Sequence, residues 1–209
     1  MAGVPRAAIP RLDELDLRIE TQRLVLRPYV EGDVDALWPS VSDPEFPRMM
    51  MWPVHAHRDD TLAYIRGTAE DVRQNAGVTW GIELEGRAIG SIGLRGIVWQ
   101  VGACRADRAE LGYWVAKAWW GKGIMTEAAH AAVGFGFETI GLHKISTACF
   151  VENAASRRVI EKVGFRHVGR VEDDLWRDGA WHAQHRYELT SPEWSDVHTT
   201  MRVSRPRPT

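Results

Sequence analysis

The chain has 209 residues, with 26 Lys or Arg against 28 Asp or Glu and a formal charge of −2, which excludes a strong electrostatic pull on nucleic acid. Two cysteines, Cys104 and Cys149, stand too far apart for a metal or redox spacing and read as reduced thiols. No apolar run approaches membrane-spanning length and no charged-then-apolar leader opens the chain, so a soluble cytoplasmic protein with no membrane and no metal is expected.

Residues 1–18 mix proline, arginine and acid without period and predict a loose N-terminal arm or a short helix. Apolar residues then spread evenly, so 19–194 reads as a single domain. The Leu24/Leu26 alternation predicts a first strand from Thr21 to Tyr29, ended by Pro28. Glu31-Gly32-Asp33 opens a helix through Val34, Leu37 and Val41 that stops before Pro44. Arg58 to Asn75 is a second helix, with Leu62, Ile65, Ala69 and Val72 on its inner side and Gly77 as its stop. Between the helices, Phe46 to His55 holds Met49, Met50, Met51 and Trp52 and is unusually apolar for a connector. It either tucks against the core or walls an acceptor site, where methionine adapts to irregular partners.

Val78–Leu84 and Ala88–Val98 alternate around Glu85-Gly86-Arg87 and predict a hairpin, with Gly90, Gly93 and Gly96 marking a bulge. Gln100 to Asp107 reads as a loop, Ala109–Val115 as a central strand and His143–Phe150 as another. Asn153–Val163 is a helix; Phe165–Val171 and Trp181–Leu189 form a closing antiparallel pair, ahead of a basic, proline-containing tail at 195–209. This order predicts an α/β (α+β) domain with a mixed sheet.

After the central strand come Trp119-Trp120-Gly121-Lys122-Gly123-Ile124-Met125-Thr126 and a helix whose Met125, Ala129, Ala132, Val133 and Ile140 share a stripe. Glycines let a backbone approach a ligand, and the unpaired N–H groups and dipole of a helix start attract a diphosphate. The spacing is neither a Walker A loop nor a dinucleotide fingerprint. Lys122 is either a phosphate contact or a solvated charge, and Trp119 and Trp120 either wall a site or pack. Downstream, Asn153, Ser156 and Ile160 fall on one helix face. Spacing alone leaves Asn153 and Ser156 as caps or as groups turned into a site. Glu110 is either a solvated strand end or a general base, with Asp173 and Asp174, on an expected loop, as weaker alternatives.

Four stretches, Glu20-Thr21-Gln22-Arg23-Leu24-Val25-Leu26-Arg27, the Trp120–Met125 loop, Asn153 to Phe165 and Arg177 to Trp194, together resemble the GNAT superfamily of acyl-CoA N-acyltransferases. More narrowly they resemble its RimJ/RimL-type branch. The resemblance implies a mixed, mostly antiparallel seven-stranded sheet with helices on both faces, splayed between the strands around 110–115 and 145–150. It implies acetyl-CoA as co-substrate, held by Trp114, Val115, Trp120, Gly121, Lys122, Gly123, Ile124, Met125, Thr126, Asn153 and Ser156, the pantetheine arm pairing near Trp114 and Val115. Ser156 then protonates the leaving sulfur and Glu110 is the base. The loop departs from the family pattern: Gln or Arg is usual where this chain has Trp120, and Gly or Ala where it has Met125.

The implied acceptor is a primary amine, of a protein N-terminus or a small molecule, and the branch often forms homodimers. An α-amine with pKa near 8 is roughly one-tenth neutral at pH 7, a lysine only about a few hundredths of a per cent. The scarcity of bases therefore favours a low-pKa amine. The competing reading is an idle acyl-CoA-binding module that senses cofactor or holds a partner.

Overall fold

The computed structural model describes residues 8–46 and 50–196; readings that fall on 1–7, on Pro47, Arg48 and Met49, and on 197–209 lie outside the described residues. The chain runs β1 (Ile19–Glu20), β2 (Val25–Pro28), α1 (Val34–Val41), α2 (Arg58–Arg73), β3 (Val78–Leu84), β4 (Arg87–Val101) and β5 (Cys104–Val115). It continues through α3 (Ile124–Glu138), β6 (Lys144–Phe150), α4 (Ala154–Val163), β7 (Arg166–Arg177) and β8 (Ala180–Thr190). The strands form one eight-stranded sheet in the order β1-β2-β3-β4-β5-β6-β8-β7. All neighbours are antiparallel except β5 and β6. Seven strands were expected; the eighth is β1, two residues pairing Ile19 with Leu26 and Glu20 with Val25, too short to leave a period in the sequence.

Alternation along β5 sends Leu111 and Val115 into a cluster with α3 and α4, and Trp114 into a second cluster with Leu37 and Val41 of α1 and Ile65 of α2. Helices therefore cover both faces. α3 buries Ile124, Met125, Ala128, Ala129, Ala132, Val133 and Phe137, a broader stripe than the sequence suggested, and Ile140 is buried beyond the helix end. The hairpin between β3 and β4 turns on Glu85 and Gly86, both at positive φ (52° and 77°), the twist that joins antiparallel strands tightly. Register shifts fall beside Gly90 and Gly96, where bulges were expected.

Several expectations are corrected. Of the two readings of the arm, the short helix holds, as one turn at Leu12–Glu14, and the loose arm does not over the described part: Leu12 is fully buried, its N–H donates to Asn75 Oδ1 (2.9 Å), and the Trp80 indole donates to the Leu17 carbonyl (2.6 Å). Gly77 does not stop α2. Asn75 takes the left-handed turn (φ 58°), and Gly77 lacks a side chain because a Cβ there would lie 2.9 Å from the Leu94 carbonyl. On α2, Ala69 is exposed while Thr61 and Thr68 face inward; their hydroxyls reach His55 Nδ1 and the Ile65 carbonyl, so burial leaves them satisfied. Residues 100–107 are not a loop but the tip of a longer β4–β5 hairpin pairing Val101 with Cys104. Similarly β7 extends to Arg177, so Asp173 and Asp174 lie in a strand, at a bulge where Asp173 takes φ 49°. The tips of these ribbons carry no buried face to set an alternation, and their Val101, Trp176 and Trp181 stay exposed. Among the described residues no helix is long and apolar enough to cross a membrane.

Candidate functional site

Parallel pairing of β5 with β6 ends after Arg108–Lys144, Ala109–Ile145 and Glu110–Ser146. β5 stays bonded to β4 as far as Val115, and β6 to β8 as far as Phe150, so past Glu110 the two strands part. At the fork the Thr147 hydroxyl donates to the Leu111 carbonyl (2.9 Å). The Ala116 N–H donates to the Ile89 carbonyl. Alternation in an antiparallel ladder then aims the main-chain groups of Trp114 at Ser91 and those of Val115 into the gap. Val115 thus presents a free sheet edge, its carbonyl now receiving the Trp120 indole N–H at 2.8 Å. Trp114 enters the site with its indole instead.

A cavity of about 640 Å³ passes through this gap. On the α3–α4 side it meets Tyr113, Val115, Ser156 and Val159; on the α1–α2 side it meets Trp52, Tyr64, Ser91 and Trp114. The apolar connector both packs inward and lines the cavity. Phe46 is buried against Trp114 (ring centroids 5.4 Å) and stacks on Trp120 (6.3 Å), while Trp52 faces the cavity and Trp114 (6.0 Å). Met50 also lines the cavity; Met49 is outside the described residues. His55 stands beside Trp52, and burial holds its imidazole below its ordinary pKa.

The loop ahead of α3 turns on Gly121 and Gly123, at φ 75° and 76°. The first helical bond runs from the Glu127 N–H to the Gly123 carbonyl, leaving the N–H groups of Ile124, Met125 and Thr126 without intrahelical partners. Gly121, Gly123, Ile124, Met125 and Thr126 all line the cavity. Lys122 does not line the cavity; its ammonium lies 4.7 Å from the centre of the ring of Trp119, which does.

The loop is fastened from the far end of the sheet. Arg23 donates to Glu127 Oε2 (2.6 Å) and to the Lys122 carbonyl (3.0 Å), and Glu127 also accepts from the Thr21 hydroxyl (2.7 Å). Burial raises the Glu127 pKa, but the bonds from Thr21 and Arg23 outweigh it and leave the carboxyl below its ordinary value of 4.5. Its contribution to stability is therefore complete above pH 4.5 and is lost as pH falls through the depressed folded-state value. Glu127→Gln is expected to cost roughly 1–2 kcal/mol and to flatten the acid limb of the melting-temperature profile. An unchanged profile would place the acid sensitivity elsewhere.

At the other wall, Asn153 caps α4 by accepting the Ser156 N–H (3.0 Å), while the Ser156 hydroxyl points inward to Tyr113 Oη at 2.9 Å. Asn153 thus caps the helix and, like Ser156, also lines the cavity. Sequence reasoning missed Tyr113, whose aromatic ring in an alternating strand signals only core. Burial drives its phenol above its ordinary pKa despite the Ser156 bond, so it is a neutral hydroxyl. Burial also pushes the Cys149 thiol up to about 11.

Glu110 is exposed at the fork, lines the cavity and stands opposite Arg95 on β4. Asp174 is tied to Arg186, and neither it nor Asp173 reaches the cavity.

Residues 23–166 match the family model described as an acetyltransferase (GNAT) domain. The chain belongs to the GNAT acetyltransferase family: it is an acetyl-CoA-dependent N-acetyltransferase with RimJ/RimL-like relatives. It is 28% identical over 176 residues to the uncharacterized N-acetyltransferase YoaA of Bacillus subtilis, covering 83% of this chain and 97% of that protein. Over 85 residues it is 34% identical to the [ribosomal protein uS5]-alanine N-acetyltransferase of Escherichia coli, covering 41% of this chain and 44% of the relative. Among solved structures, Mycobacterium smegmatis RimJ in complex with CoA-disulfide superposes with a TM-score of 0.74 at 27% identity, over 87% of this chain and 90% of that one.

Proposed function

We propose that the protein transfers acetyl from acetyl-CoA to a low-pKa primary amine, a protein N-terminal amine or a small-molecule amine, by direct attack in a ternary complex. The observation that carries this is the fork itself. Val115 directs its N–H into the gap, Ser156 and Tyr113 stand on one side, and Glu110 on the other. Main-chain amides from Ile124 to Thr126 receive the pyrophosphate, Gly121 and Gly123 let it approach, and Asn153 holds the wall of the arm's channel. Arg158 and Lys162 line the cavity as further positive charges for the cofactor's phosphates.

The amine nitrogen attacks the thioester carbonyl carbon, and the Val115 N–H stabilises the oxyanion. Glu110 takes the proton that the amine releases. As the carbon–sulfur bond breaks, Ser156 protonates the sulfur and Tyr113 supplies the hydroxyl behind it. An acyl-cysteine route is disfavoured: with a pKa of about 11, Cys149 is a thiolate only on the order of once in ten thousand molecules at pH 7. The uS5-alanine relative favours the N-terminal acceptor. Its cytoplasmic setting and the homodimeric habit of the branch belong to the same proposal.

Thiol release from acetyl-CoA, measured across a panel of amines, tests this reading. Turnover of α-amines is expected, with far less of lysine side chains at pH 7. Glu110→Gln should slow it roughly a hundredfold and leave a rate that climbs with pH as the free amine accumulates. A protein that binds acetyl-CoA but acetylates nothing is the idle binding module instead.

A further inference from the structure

On the α1–α2 face, the cross-strand row Thr79–Gly93–Gly112 runs over β3, β4 and β5 beside the fork. Two facing glycines leave a floor without side chains, and two donors lean onto it. The Arg95 guanidinium lies over Gly112, so close that a Cβ there would meet Nη2 at 2.6 Å. The Thr79 hydroxyl lies over Gly93, 2.7 Å from where its Cβ would be. Thr79 is only 4% exposed, and its Oγ1 is a buried polar atom with no hydrogen-bond partner among the described residues. Leaving such a group unpaired is costly, so it calls for a partner from outside the fold. Its neighbours are already satisfied: the Ser91 and Tyr64 hydroxyls bond each other at 2.9 Å.

Arg95 makes no ion pair within 4.0 Å among the described residues, although Glu110 is its ladder partner and both line the main cavity. Thr79, Arg95 and Tyr64 are also shared with a side cavity of about 240 Å³ reaching Gly67, Thr68 and Asp71 of α2. A planar guanidinium beside a spare hydroxyl is a carboxylate receptor. With Glu110 next to it, the wall presents negative then positive charge, the complement of an ammonium and a carboxylate on one small framework.

We propose that Arg95 and Thr79 bind a carboxylate of the acceptor, so that the preferred acceptor is an amine carrying a carboxylate within a residue's reach. This rests on the acetyltransferase reading above and names its substrate class. The carboxylate belongs either to a free α-amino acid or to an acidic residue at a peptide's N-terminus.

Matched acceptor pairs decide it, each rate taken per unprotonated amine because a free carboxylate makes the neighbouring amine more basic: amino acids against their amides, and peptides with Asp or Glu at the first or second position against Asn or Gln counterparts. The carboxylate member is expected to have the higher kcat/KM by roughly tenfold to a hundredfold, mainly through KM. Whichever pair shows the preference identifies the source. In Arg95→Met the ratio should fall toward one with the acetyl-CoA KM unchanged, and Arg95→Lys should restore part of it. Thr79→Val should lower the ratio several-fold without lowering the melting temperature, because the hydroxyl it removes has no partner in the fold. Acetylation of amines with no carboxylate preference, or a preference that Arg95→Met leaves intact, overturns this subsite and leaves the enzymatic reading standing. Cofactor binding with no acetylation of any amine overturns both.

Discussion

Gly123→Glu is expected to abolish acetyl-CoA binding, with affinity falling by at least roughly a hundredfold in calorimetry. Two effects combine. Gly123 sits at φ 76°, where a side chain costs on the order of 1–2 kcal/mol. The larger effect is electrostatic: a carboxylate would stand at the mouth of the helix N-terminus proposed to receive the pyrophosphate, like charge against like charge. Steric exclusion is not the cause, because a Cβ at this position meets only Arg23 Nη2, at 3.5 Å. Gly123→Ala therefore serves as the control, carrying the backbone cost without the charge and losing only a few-fold in affinity. Normal affinity in Gly123→Glu would show that the diphosphate is held elsewhere, and the enzymatic assignment of the loop would fail with it.

Ser156→Ala is expected to lower turnover at least tenfold while acetyl-CoA affinity changes little. A hydroxyl that donates to a developing thiolate stabilises the transition state far more than the bound thioester, so its loss appears in kcat rather than in binding. A charge-assisted hydrogen bond contributes about 1.5–3 kcal/mol, or roughly ten- to a hundredfold in rate. Tyr113→Phe discriminates between the two hydroxyls 2.9 Å apart. If Ser156 hands the proton to sulfur and Tyr113 stands behind it, the tyrosine variant loses less than the serine variant. A larger loss in Tyr113→Phe would make the phenol the donor. Structural damage from Ser156→Ala is limited, because Tyr113 Oη keeps a second contact with the Ser156 carbonyl at 3.3 Å. A melting temperature measured alongside separates that damage from chemistry.

Local patterns were legible wherever a residue's role follows from its neighbours in sequence. The Gly121–Gly123 turn opening a helix, the Asn153 cap and the Ser156–Ile160 face needed only backbone freedom, capping and helical period, and each stands in the structure where spacing placed it. The resemblance to the acyltransferases, carried by those same stretches, supplied the fold and the splayed strand pair. The polar ribbons of β4–β5 and β7–β8 escaped notice because neither face of their tips is buried, so no alternation marks them. Asn75 displaced Gly77 as the helix stop for a similar reason. Its side chain bonds the N-terminal segment more than sixty residues away, a contact no local window contains.

What the sequence by itself determined is the glycine turn and open helix start proposed to take the diphosphate: such a site needs only main-chain amides and glycines at fixed short spacing, and that motif is contiguous. The proposed leaving-group pair and the proposed acceptor side were decided by tertiary structure alone. Tyr113 gains meaning only when α4 lays Ser156 against it, and Thr79 only when β3 sets its hydroxyl over Gly93 with nothing to bond. Arg95 becomes a charge over a glycine floor only once β4 and β5 are in register. Those side chains come from strands and helices far apart in the chain, and their chemistry depends on burial and on partners present or missing, quantities that exist only after the sheet has formed.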